Sequence, residues 1–156
     1  INEKALMWAA HECDVLEVKE DPRGSNRGPR VDEYQALLGL KGEPWCAAFV
    51  LWCFIKAGLG LINTPRSGLV MDWMRWSKRR GKHVTAPKRG DLFYWVNRKG
   101  AGHIGFVVNV HNHSFETIEG NTNDGGSREG YEVCRRVRLF SELEGQPYSG
   151  FIRILY

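Results

Sequence analysis

The chain has 156 residues, 42% hydrophobic and 26% charged, the composition of one ordinary globular domain (residues 1–156) and not of a disordered chain. Twenty-two Lys and Arg against eighteen Asp and Glu leave +4, a mild pull towards polyanions that is too small to select one. Cysteines at 13, 46, 53 and 134 form no CxxC pair, which predicts free thiols, and the apolar run from Trp45 to Ile55 is too short to span a bilayer.

Residues 2–12 read as a helix with Asn2 as N-cap and Leu6, Ala9 and Ala10 near one face. Asp21 to Arg30, with Pro22, Gly24, Gly28 and Pro29, is a loop by its breakers, and a loop of this length is a candidate border for a groove. Helical spacing resumes in Val31, Tyr34, Leu37 and Leu38 and stops at Gly39. After Pro44 an apolar helix begins at Cys46 and closes at Ala57-Gly58. A further helix is predicted from Ser67 to about Arg80, with Ser67 as cap and Leu69, Val70, Trp73 and Trp76 as its apolar side.

Beyond Pro87 the period changes to short β-branched or aromatic runs: 91–96, 103–110, 115–119, 131–138 and 151–155. Helices first and strands afterwards predict an α+β domain, its N-terminal helices packed on a C-terminal antiparallel sheet of about five strands. The strands are expected to follow one another as a meander.

Cys46 stands out chemically, because the unpaired N–H groups and positive dipole end of a first helical turn favour a thiolate over a thiol. The competing reading is that a free cysteine simply packs, and Cys53, two turns deeper on nearly the same face, is read as core. His103 opens a strand directly after the Lys99-Gly100-Ala101-Gly102 turn, where an imidazole can serve as base. Glu119 and Asn121 end the next strand in alternate register, so both can project towards that ring and either can orient it. The run from Gly120 is also turn chemistry in its own right. His111-Asn112-His113 reads as a turn between strands, without acidic or cysteine partners at ligand spacing.

Taken in order, Trp45-Cys46-Ala47-Ala48-Phe49-Val50, Arg89-Gly90-Asp91-Leu92-Phe93, Gly102-His103-Ile104-Gly105-Phe106-Val107 and Glu119-Gly120-Asn121-Thr122 resemble a CHAP domain. These are papain-like cysteine, histidine-dependent amidohydrolases and peptidases of bacterial and phage cell-wall lysis, and the resemblance covers nearly the whole chain. Asn26-Arg27-Gly28-Pro29 is similar to the upstream loop of one branch of the family.

The resemblance implies Cys46 as nucleophile, His103 as base, Glu119 as the group orienting the ring and Asn121 as polar support, with the choice between the last two for the ring contact left open. It implies an acyl-enzyme formed on an amide or peptide bond of peptidoglycan, in the stem peptide or cross-bridge. Asn26, Trp45 and Trp73 are the candidate substrate-binding residues. The backbone N–H of Cys46 is one oxyanion donor implied, and because Trp45 stands where many relatives carry a polar residue, the second donor is not carried over. Calcium-binding relatives use an acidic upstream loop; here Asp21 to Asp32 is mostly basic and glycine-rich, so no metal or other cofactor is expected.

The expected enzyme is a monomer that engages peptidoglycan, with no nucleic-acid partner and no membrane insertion. It would act on the bacterial wall as a phage endolysin or a bacterial lytic or effector enzyme. No signal peptide is recognisable, and the first residue is Ile. Two rivals are a non-catalytic wall-binding module of the same fold and a papain-like cysteine peptidase with another substrate. A pure binder would not need Cys46, His103 and Glu119 together.

Overall fold

The computed structural model describes residues 1–60, 63–122 and 130–155. Helices α1 (Asn2–Asp14), α2 (Pro29–Ala36), α3 (Cys46–Lys56) and α4 (Val70–Arg79) come first. Strands β1 (His83–Val84), β2 (Leu92–Val96), β3 (Gly102–Val110), β4 (Ser114–Thr122) and β5 (Glu132–Leu139) follow, then α5 (Phe140–Glu144) and β6 (Tyr148–Ile152). This is the expected α+β order, and no described helix is long and apolar enough to cross a membrane.

Among the described residues the sheet has six strands in the order β1-β6-β2-β3-β4-β5, against the expected five or so. The extra strand, β1, has two residues and therefore no period to read. Nor is the sheet a plain meander: β2 to β5 form one, while β6 returns to the far side of β2, pairing Phe93 with Phe151. Helix α5 also escaped the pattern, its five residues being too few to show helical spacing.

Local chemistry shifts three helix boundaries. Helix α2 starts at Pro29, two residues before the apolar spacing begins, because a proline at the first helical position has no N–H to leave unpaired. Helix α4 starts at Val70, and Ser67 stands outside it, accepting from the Leu69 N–H at 3.0 Å and donating to Asp72 at 2.6 Å. Asn2 is a helical residue and not a cap; its side chain donates to the Leu155 carbonyl at 2.7 Å, tying the start of α1 to the far end of the chain.

Helix α3 is the spine of the core, with every residue from Cys46 to Phe54 buried. Phe49 and Phe54 pack on Phe106 of β3 at ring-centre distances of 6.3 and 5.6 Å. Each large apolar side chain so buried contributes roughly 1.5–3 kcal/mol. The start of the helix is held against β4, where a Cβ on Gly120 would stand 2.8 Å from Trp45 and 2.9 Å from Phe49. Only a glycine backbone lets the two elements approach this closely. On the other face of the sheet Phe93, Val107, Phe115, Leu143 and Phe151 form a second apolar cluster. Pairing of Val107 with Thr117 puts His103, Gly105, Thr117 and Glu119 on this second face by alternation.

Candidate active site

Cys46 is the first residue of α3, and the first helical bond runs from the Phe49 N–H to the Trp45 carbonyl. The N–H of Cys46 therefore lies in the unpaired first turn, at the positive end of the dipole. The residue is 5% exposed and lines a cleft of about 420 Å³. Leu40, Leu69 and Val70 give that cleft apolar walls, Glu43 and Arg66 add one charge of each sign, and the Gly100-Ala101-Gly102 turn closes another side.

His103 is wholly buried on β3, with Nε2 2.7 Å from Glu119 Oε1. The rings of Phe93 and Trp95 lie 6.0 Å from it. Its Nδ1 is buried and, among the described residues, makes no conventional hydrogen bond. Burial alone would push the imidazole pKa down. The Glu119 charge and the neighbouring Cys46 thiol outweigh burial and raise it to about 9.

Glu119 is equally buried, and its carboxylate is saturated with donors. Arg138 of β5 forks onto both oxygens, Nε donating to Oε2 at 2.7 Å and Nη2 to Oε1, and Thr117 Oγ1 donates to Oε2 at 2.6 Å. Burial would push this carboxyl pKa up, but Arg138 first and His103 second hold it down at about 2. Gly105 makes the room, since a Cβ there would stand 2.8 Å from Glu119 Cγ.

The ring contact thus falls to Glu119, and Asn121 is turned elsewhere. The pairing of β4 with β5 slips between Glu119 and Thr122, and Asn121 takes a φ of 58° inside that slip. A bulge of this kind breaks the alternation that would have set both side chains on one side, and it re-aims the second of them. Asn121 Oδ1 accepts the backbone N–H of Trp45 at 2.6 Å, and Nδ2 donates to the Gly130 carbonyl at 2.8 Å.

None of the three candidate substrate-binding residues lines the cleft. Trp45 and Trp73 are fully buried. The Trp45 indole donates to Glu20 at 2.8 Å, and that of Trp73 donates to the Ser67 carbonyl at 2.9 Å. Asn26 is held by its backbone, its N–H donating to Glu20 at 3.1 Å and its carbonyl accepting from Gln35 at 2.9 Å. Buried Glu20 therefore links the upstream loop to the residue before the nucleophile, while Trp73 is tied separately to Ser67 of the cleft wall.

Sequence reasoning passed over Arg138, Thr117 and Glu20. Thr117 carried a usable signal, lying two residues before Glu119 on one strand face. Arg138, in Cys134-Arg135-Arg136-Val137-Arg138, has the pattern of a solvated strand. His111 does lie in a turn, with Nε2 2.7 Å from Glu116, and among the described residues no three His, Cys, Asp or Glu side chains converge as a metal site would need. All four cysteines are free.

The family model for the CHAP domain matches residues 39–121, a segment that holds Cys46, His103, Glu119 and Asn121. No curated protein matches the chain. Among solved structures, "The crystal structure of Ly7917" superposes with a TM-score of 0.55 at 13% identity, covering 99% of this chain and 63% of that one. At that identity the likeness is one of fold, and this chain spans less than two thirds of the other's length. The family model, which takes in more than half of the residues and the whole Cys46, His103 and Glu119 set, decides the matter: the chain belongs to the CHAP domain family.

Proposed function

We propose that this chain is a cell-wall hydrolase that cleaves an amide or peptide bond of peptidoglycan through a cysteine acyl-enzyme. Peptidoglycan-related amidase and peptidase chemistry is the theme of the CHAP family, and one observation carries the reading to this chain. A thiol at a helix start lines an open cleft, and beside it stands a buried imidazole whose far nitrogen is engaged by a carboxylate.

The steps follow from that arrangement. His103 Nδ1, with no other partner among the described residues, takes the Cys46 proton, and Glu119 stabilises the imidazolium through Nε2–H. Sulfur attacks the carbonyl, and the oxyanion that forms meets the unpaired Cys46 N–H. His103 returns the proton to the leaving amine, which departs and leaves a thioester. Water, deprotonated by His103, then hydrolyses the thioester and frees the thiol. Nothing in these steps calls for a metal or cofactor. We assign the enzyme to the bacterial wall, as a phage lysin or a bacterial lytic or effector enzyme that works as a monomer.

Release of soluble fragments from purified peptidoglycan tests the proposal. Wild type and Cys53→Ala should release them and Cys46→Ala should not, with mass spectrometry of the fragments identifying the bond cut. Equal loss in both variants, loss in neither, or binding of the wall without any fragment would overturn it.

A further inference from the structure

We propose that Arg138 is a positioning residue for the hydrolase reaction, fixing the charge and the plane of the Glu119 carboxylate so that His103 offers Nδ1 to Cys46. The inference rests on the hydrolase reading, yet Arg138 lies beyond residues 39–121 and owes nothing to the family match.

A glutamate has a flexible side chain, and in a buried site it can be held by one histidine in several ways or take a proton itself. Arg138 removes both freedoms. Its planar fork places one donor on each carboxylate oxygen, which defines the carboxylate plane, and Thr117 fills a further site on Oε2. Oε1 is then the oxygen presented to His103 Nε2.

Arg138 is itself fixed, 7% exposed, with its guanidinium 5.5 Å from the centre of the Phe93 ring. The same ring flanks His103, so arginine and histidine share one aromatic platform with the carboxylate between them. Among the described residues the other groups bearing on the carboxylate are few. Cys134 stands opposite Glu119 in the β4–β5 register, Glu142 of α5 acts on Arg138, Cys46 approaches the histidine from α3, and β2 contributes the Phe93 and Trp95 rings. Among the described residues Arg138 is thus a cation that keeps a wholly buried carboxylate ionised when the histidine is neutral.

An ion pair that served the fold alone would change stability and leave the pH dependence of the reaction untouched. Kinetics of peptidoglycan cleavage against pH, for wild type, Arg138→Gln and Arg138→Lys, separate the two roles. Arg138→Gln should lower kcat about 10- to 100-fold, the scale of a misplaced catalytic group, with KM little changed because Arg138 does not line the cleft. Its acidic limb should move to higher pH, since burial unopposed by arginine raises the Glu119 pKa. Arg138→Lys keeps the charge without the fork, so it should restore the limb and recover only part of the rate. Adding Arg138→Gln to Glu119→Gln, which removes both buried charges, should cost no further activity if arginine acts through the carboxylate.

Alkylation of Cys46 by iodoacetamide, followed against pH in wild type, Arg138→Gln and Arg138→Lys, reads the same unit without any substrate, and Arg138→Gln is the variant whose profile should shift. Burial pushes the other thiols up, Cys13 to about 11, Cys134 to about 12 and Cys53 well above its ordinary value, so Cys46 should react first. A protein that leaves peptidoglycan intact but shifts its alkylation profile on Arg138 substitution would sink the substrate assignment and keep this one. A folded Arg138→Gln with wild-type kcat and pH profile would overturn the positioning role. So would an Arg138→Lys variant with the wild-type rate of cleavage and of Cys46 alkylation at neutral pH, should Arg138→Gln fail to fold.

Discussion

The backbone N–H of Trp45 donates to Asn121 Oδ1 at 2.6 Å, across 76 residues of sequence. That one bond joins the loop in front of the nucleophile to the end of the strand bearing Glu119. The substitution that tests it must respect the positive φ of Asn121, which glycine adopts freely and alanine does not. Asn121→Gly should therefore fold, less stable by about 1–3 kcal/mol, the cost of a buried unpaired N–H, while kcat falls about tenfold or more, the scale expected when a nucleophile drifts from its base. Asn121→Ala should show the same kinetic loss and a still lower melting temperature, because the left-handed conformation costs it about 1–2 kcal/mol. Lysis rates and thermal melts of the two variants check this together.

Gly105 lies beneath the Glu119 side chain, and the first carbon of any larger residue would stand 2.8 Å from Glu119 Cγ and 2.8 Å from the Phe93 ring. Gly105→Ala should push the carboxylate off His103. Overpacking of this kind costs roughly 1–3 kcal/mol, which the fold can survive. Activity should fall much further than stability, and urea denaturation set beside fragment release would show the gap. A Gly105→Ala enzyme of full activity would mean that Glu119 is not held where it acts.

The His103–Glu119 pair also writes a pH signature into stability. The histidine pKa is raised in the folded protein, so its contribution is complete below its ordinary value of 6.5 and is lost as pH rises through about 9. The glutamate pKa is depressed, so its contribution is present above its ordinary 4.5 and is lost as pH falls towards about 2. These are two views of one interaction and count once. Denaturant midpoints of wild type should decline between pH 6.5 and 9, and those of His103→Gln should be flatter over the same interval. Parallel slopes would show that the histidine is not held in its charged form.

Much of this molecule was legible because its signals are local. Pro44 before Cys46, the glycine turn before His103 and the alternation in β2 to β5 each reside within a few neighbouring residues. What escaped depends on distant partners. The indole N–H of Trp45 is taken up by Glu20, 25 residues away, a partner that only the fold brings to it. Asn121 looks like a partner for the histidine until the slip in β4 turns it away. Arg138 has the spacing of a solvated residue, and only the fold brings Glu119 to it. Two-residue β1 and five-residue α5 fall below the length at which any periodicity can be counted.

Cys46 belongs to the helical layer and His103 to the sheet, and with all four thiols free no covalent strut joins them. The gap between sulfur and imidazole is therefore a gauge of how firmly α3 sits on β3 and β4, through Phe49, Phe54, Phe106 and the bare backbone of Gly120. Gentle heating that loosens this seat would silence the nucleophile while helices and strands persist, so function should fade at a lower temperature than secondary structure.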